Sequence, residues 1–97
     1  MTNAHDLIVI HNEAAKRFEV HVDKQTAIME YMRAGNYIIF THTEVPENLE
    51  GRGIAGKMAH TALEYAKEAG SRVQALCPFV ASYVANHPEY QAITLGY

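Results

Sequence analysis

Eight consecutive residues, Glu50-Gly51-Arg52-Gly53-Ile54-Ala55-Gly56-Lys57, have the make-up of a cradle for a polyanion. Three of the six glycines in the chain fall between positions 51 and 56. Glycine leaves no side chain between a main-chain N–H and a ligand, and it reaches left-handed conformations without steric cost. A helical pattern begins at Ile54, so the same stretch offers the unpaired N–H groups and partial positive charge of a helix start. Together these suit phosphate. The plainer alternative is a surface loop needing flexible turns ahead of a helix, and three glycines beside a helix start favour the anion site.

Two other phosphate motifs fit less well. In a P-loop, Gly-Lys is followed by Ser or Thr, which holds Mg²⁺; here Met58 follows Gly56-Lys57. Gly51, Gly53 and Gly56 satisfy the Gly-x-Gly-x-x-Gly spacing of a dinucleotide site. That site belongs to a parallel sheet, however, and the residues ahead of this loop read as antiparallel hairpins.

Cys77 is the only cysteine, set just after a strand pattern and just before Pro78. A thiolate is favoured at a helix start, while a lone cysteine is also a small buried hydrophobe. His42 and Glu44, two apart in a strand, share a face and could take a proton from an amine; a half-exposed polar face is the ordinary alternative. Tyr83, in the second helical stretch, is either functional or a core or rim aromatic. The six histidines include no His-x-x-x-His pair, and His60 with Glu64 reads as a solvated helix face, so no metal site is expected.

The elements needed to position these groups follow from periodicity. Leu7 to Ile10 reads as a short buried strand, with a turn over 12–16. Arg17 to Val22 alternates, placing Phe18, Val20 and Val22 on one face. After the polar turn Asp23-Lys24-Gln25, Thr26 to Arg33 suits a strand, although Met29, Glu30 and Met32 suit a helix equally. Gly35-Asn36 is a hairpin turn, and Tyr37 to Thr43 is the clearest strand. Four strands joined by short turns imply an antiparallel meander. A helix from Ile54 to Ala69 carries Ile54, Met58, Ala62, Tyr65, Ala66 and Ala69 on its apolar stripe, with Lys57, Thr61, Glu64, Lys67 and Glu68 opposite. Gly70 closes it. A strand over Val73–Leu76 leads to a second helix, Phe79 to Asn86, with Pro78 in its first turn and Pro88 beyond its end. The tail from Glu89 packs back or frays.

Ninety-seven residues make one domain. With 48% hydrophobic and 20% charged residues, the composition is that of a globular protein. A net charge of −3 with eight Lys+Arg leaves no broad surface for nucleic acid. No apolar run approaches the roughly 18 residues that cross a bilayer, and Met1 to Asp6 lacks the features of a signal peptide. A single cysteine points to a reducing compartment, with the cytoplasm as default.

The loop resembles the pyrophosphate-binding motif of the GCN5-related N-acetyltransferases (GNATs), Gln/Arg-x-x-Gly-x-Gly/Ala. Gly53, Ile54 and Ala55 match its second half, and Glu50 stands where Gln or Arg is usual. The wider string is Thr43-Glu44-Val45-Pro46, Gly51-Arg52-Gly53-Ile54-Ala55, Cys77-Pro78-Phe79-Val80, Tyr83 and His87-Pro88-Glu89-Tyr90. It is similar to the minimal, roughly 100-residue members of that family. The resemblance implies an α+β, GNAT-like fold: a mainly antiparallel sheet of about five strands with two helices, forming a single domain over 1–97. It also implies acetyl-coenzyme A as cofactor and transfer of its acetyl group to a primary amine of a small molecule or protein. Main-chain N–H groups from Arg52 to Gly56 would hold the pyrophosphate, with Arg52 or Lys57 at the rim. A carboxylate at Glu50 would have to point away from the phosphates. Thr43 and Val45 would flank the pantetheine arm, and a backbone N–H there would polarise the thioester carbonyl. Cys77 would lie near the acetyl thioester, either lining the site or accepting the acetyl group transiently, direct transfer to the amine being the usual chemistry of the family. Tyr83 would protonate the departing thiolate. The alternative is a module that binds an acyl-coenzyme A without turnover. A free sheet edge leaves monomer and weak dimer both open.

Overall fold

The computed structural model describes residues 7–97; the signal-peptide argument over Met1 to Asp6 lies outside them. Five strands form one sheet in chain order: β1 (Ile10–Asn12), β2 (Arg17–Val22), β3 (Gln25–Ala34), β4 (Tyr37–Glu44) and β5 (Arg72–Ala75). The first four pair antiparallel, and β5 runs parallel to β4. The connection from β4 to β5 carries a single 3-10 turn, Glu47–Leu49, and the long helix α1 (Ile54–Glu68). After β5 come α2 (Pro78–Ala85) and a 3-10 segment, Pro88–Ile93. No helix of the described residues is long and apolar enough to cross a membrane.

The hairpins show why the chain turns where it does. Asp23 and Lys24 both have positive φ and form a two-residue loop that pairs Val22 with Gln25, the geometry that matches the twist of paired strands. The segment that could have been helix is strand β3. Its inward residues Ala27, Met29 and Tyr31 alternate, and both its edges are paired. The expected strand over Leu7–Ile10 is displaced toward the C-terminus. In the turn after β1, Lys16 N–H donates to the Glu13 carbonyl and Ala15 N–H to Asn12 Oδ1. That tight turn sets Ile10–Asn12 against Arg17–Glu19; Leu7 is buried, while Ile8 is 77% exposed.

One face of the sheet is covered. Phe18, Val20, Met29, Tyr31, Ile38, Phe40 and Val73 share a cluster with Ile54, Met58, Ala59, Ala62, Leu63 and Ala66 of α1 and with Val80 and Val84 of α2. The buried surface of α1 is wider than the expected stripe: it takes in Ala59 and Leu63 and leaves Ala69 exposed. The helix has a second neighbour besides the sheet, because the C-terminal segment folds back along it. Tyr90, 1% exposed, donates its hydroxyl to Glu64 Oε2 at 2.7 Å. Leu95 N–H reaches the Val73 carbonyl at 2.8 Å, so the tail packs back onto the β5 edge.

On the other sheet face Glu19 is buried among Arg17, Asn12 and His21. The Arg17 guanidinium, then the Asn12 amide, hold its carboxyl down to about 2 from an ordinary 4.5, with His21 adding to the effect. A depressed carboxyl stabilises the fold above its unfolded value and stops doing so as pH falls through the folded one. Glu19→Gln should therefore lower unfolding free energy by about 1–3 kcal/mol at pH 7. The gap to wild type should narrow from pH 4.5 downward, as read by urea unfolding at a series of pH values.

Candidate functional site

The site begins where β4 leaves β5. The parallel ladder runs from Tyr37–Arg72 to Phe40–Ala75. The Phe40 carbonyl then accepts from both Leu76 N–H (3.0 Å) and Cys77 N–H (2.9 Å), and no further rung forms. Pro78, with no N–H to continue a ladder, starts α2 at N1. Strand β4 continues to Glu44 paired only with β3, so its edge over residues 41–44 faces a gap.

A bulge sets what points into that gap. Glu30 pairs with His42 but Tyr31 pairs with Phe40, leaving Thr41 as the extra residue. An extra residue reverses the alternation of side chains. Before it, Ile38 and Phe40 point inward; after it, Thr43 lies opposite the core residue Met29, and Val45 packs on the same cluster. His42 and Glu44 are consequently on the outer face, exposed, with His42 Nε2 3.3 Å from Glu44 Oε1. They share a face as the sequence predicts, but it is not the cleft face.

The gap opens into a cleft of about 380 Å³ lined by Thr43, Val45, Leu49, Glu50, Gly51, Gly53, Ile54, Ala55, Gly56 and Phe79. Eight of these ten are sequence-predicted cofactor residues. Arg52 and Lys57, both half-buried, flank it, and among the described residues neither pairs with a carboxylate. Leu49 and Phe79 were not anticipated. Each had a signal: Leu49 is the one apolar residue in a polar loop, and Phe79 follows the proline that opens α2.

Backbone conformation makes the cleft wall polar. Gly51 (φ 83°) and Gly53 (φ 76°) are both left-handed, and Gly53 is the N-cap of α1. No side chain caps this helix, and its first bond runs from Lys57 N–H to the Gly53 carbonyl at 3.0 Å. Among the described residues the N–H groups of Gly51 through Gly56 have no acceptor. The helix dipole adds its partial positive charge at the same point. The fit to a diphosphate is therefore one of donor chemistry: a run of main-chain N–H groups on a glycine-cleared surface.

Cys77 lies beneath this cleft, 3% exposed, with Sγ 3.1 Å from Thr43 Oγ1. That contact bridges the two diverging strands. Tyr83 stands behind the wall: its Cε2 is 4.0 Å from where a Cβ on Gly56 would be. Burial, then the charge of Glu89, pushes the Tyr83 phenol above its ordinary value. Thr43, Cys77, Gly56 and Tyr83 are thus brought together, and His42 and Glu44 border the same gap from the other side.

The sheet is split between its parallel strands, and a helix start without a capping side chain lines the cleft at the split. A sequence model of the GCN5-related N-acetyl-transferase family matches residues 17–93, and the chain belongs to that family. Its fold is the expected GNAT-like α+β arrangement. It is similar to Protein NATD1 of Homo sapiens (31% identical over 83 residues, covering 82% of this chain and 74% of that protein). The Mus musculus protein is likewise 31% identical, with 76% of it covered. The solution NMR structure of a GCN5-like protein from Staphylococcus aureus superposes with a TM-score of 0.74 at 27% identity, covering 100% of this chain and 93% of that one.

The same substitution at two glycines of the wall should act in opposite directions. Gly56→Ala sits within a helix with only an ordinary contact waiting and should raise stability by about 0.5–1 kcal/mol. Gly53→Ala forces a Cβ into left-handed backbone and should lower it by about 1–2 kcal/mol. Urea unfolding of the two variants checks the pair.

Proposed function

We propose that the protein is an N-acetyltransferase that binds acetyl-coenzyme A in this cleft and passes the acetyl group to a primary amine. The observation that carries the proposal is the run of unsatisfied main-chain donors from Gly51 to Gly56, set beside an unpaired strand edge. Acetyl-coenzyme A would supply an acetyl group already activated as a thioester. The Gly51–Gly56 amides would grip its diphosphate, with Arg52 and Lys57 adding charge at the flanks and Glu50 turned outward. The free edge of β4 between Thr41 and Val45 would receive the pantetheine arm as a further strand, and a main-chain N–H there would polarise the carbonyl. Val45, Leu49, Ile54 and Phe79 would keep water from this arm.

Tyr83, holding its proton well above neutral pH, would donate it from its hydroxyl to a leaving thiolate. Cys77, buried and bonded to Thr43, would shape the floor rather than react. Both His42 and Glu44 would meet an amine that approaches through the gap from the outer face, and could take its proton. Positioning and polarisation then account for most of the acceleration.

A second reading, an acyl-coenzyme A binder without turnover, is favoured by one observation: among the described residues, Glu50 is the only ionisable side chain lining the cleft. Labelled acetyl-coenzyme A offered with a pool of amines and peptides separates the two, since only an enzyme yields labelled amide.

Binding is tested by calorimetry with coenzyme A. Wild type should bind, and Gly53→Glu, which adds a carboxylate to the cradle, should bind roughly tenfold or more weakly. Gly53→Ala serves as the control for backbone strain alone. No heat at millimolar ligand, or equal affinity in Gly53→Glu, overturns the proposal.

A further inference from the structure

The turn His87-Pro88-Glu89-Tyr90 does not line the cleft, yet it is built onto Tyr83. The His87 imidazole lies flat on the Tyr83 ring, centroids 3.8 Å apart and planes within 10°. His87 Nδ1 is 2.7 Å from the Tyr83 carbonyl; a carbonyl only accepts, so Nδ1 carries the proton and the ring is fixed in orientation. Tyr90 stacks on Tyr83 from the same turn at 6.3 Å and 26°. Its hydroxyl donates to Glu64 Oε2 at 2.7 Å and lies 3.0 Å from His60 Nδ1. Tyr90 thereby ties the turn to α1, the helix whose Gly56 is beside the Tyr83 ring.

The hydroxyls tell these tyrosines apart. Those of Tyr31, Tyr65 and Tyr90 bond to His11, Arg33 and Glu64. The Tyr83 hydroxyl, half-buried, has no partner among the described residues. Packing alone does not call for a hydroxyl at residue 83. The groups facing its ring are Phe79 on its own helix, Gly56 on α1, and His87, Glu89 and Tyr90 on the turn.

We propose that the His87-Pro88-Glu89-Tyr90 turn is a positioning device for Tyr83, pressing its ring toward Gly56 behind the cleft wall and leaving its hydroxyl for the group that occupies the cleft. This rests on the coenzyme A reading of the cleft, although the device itself can be tested without it. His87 and Tyr90 act through Tyr83 and touch no ligand. Glu89 adds negative charge that keeps the phenol protonated, in the same direction as its burial.

The experiment uses the whole chain with tyrosine labelled at Cζ, the Tyr83 signal being assigned from Tyr83→Phe and a free tyrosine amide titrated alongside. In wild type, Tyr83 should ionise at higher pH than the free amide, and its signal should shift when coenzyme A is added. His87→Ala should close the gap between the two titrations and weaken the response to coenzyme A. His87→Phe, which keeps a flat ring on Tyr83, should preserve the gap. Val20→Ala, a core change in strand β2 of the sheet, should lower the thermal midpoint and leave the gap intact. An unchanged gap in His87→Ala, or an equal loss in Val20→Ala, overturns the proposal. Should His87→Ala fail to fold, Tyr90→Phe decides, since cutting the tie to Glu64 should narrow the gap as well and an unchanged gap again overturns it. If wild type does not respond to coenzyme A, the acetyl-transfer reading fails, and the titrations still decide whether the turn positions Tyr83.

Discussion

The Phe40 carbonyl ends the β4–β5 ladder by accepting two consecutive N–H groups, from Leu76 and Cys77. The cleft of this small domain follows from that termination. A sheet that stayed zipped to Glu44 would have no gap, no free strand edge and no floor for a cleft. Prolines on both sides make the parting permanent: Pro46 follows β4 and Pro78 follows β5, and neither can donate to a ladder. The bulge at Thr41 adds the second half of the effect, because it turns Thr43 and Val45 inward where strict alternation would have turned His42 and Glu44.

The two ends of α1 are finished in opposite ways. At the C-terminus Ser71 N–H bonds to the Ala66 carbonyl and Gly70 N–H to the Lys67 carbonyl, a closed Schellman end with Gly70 at φ 70°. At the N-terminus there is a glycine instead of a capping Ser, Asp or Asn. A capping side chain there would stabilise the helix by about 1 kcal/mol and would consume an N–H in doing so. The start of α2, at Cys77, likewise has no side-chain cap and adjoins the same cleft through Phe79, so two helix starts without a capping side chain meet there. The core can sustain the uncapped start of α1 because that helix is anchored on two sides, by the sheet and by Tyr90 of the returning tail.

Family membership and fold agree with this physical picture and leave the acceptor open. The Staphylococcus aureus structure carries the same architecture at 27% identity. The covered cleft face is apolar and main-chain polar, whereas the outer face beside the gap carries His42, Glu44 and Glu30.

Local chemistry made much of the protein legible in advance. Gly51 and Gly53 ahead of a helical run, with Gly56 in its first turn, marked the stretch that lines the cleft; alternation in Arg17–Val22 and Tyr37–Thr43, and the hairpin turns between, yielded the meander. These are properties of a few adjacent residues, and no distant partner is needed to fix them. What sequence could not supply was anything set by non-local pairing. The register of β1 depended on a turn hydrogen bond, and the strand state of Thr26–Arg33 on neighbours at both edges. The parity of Thr43, His42, Glu44 and Val45 hung on one extra residue at Thr41, which periodicity assumes away. The burial of Cys77 under Thr43, the entry of Leu49 and Phe79 into the cleft, and the stacking of His87 and Tyr90 on Tyr83 all required the chain to close on itself. Backbone propensity is decided within a turn or two, whereas which atoms meet across the cleft is decided only when the whole sheet and both helices are in place.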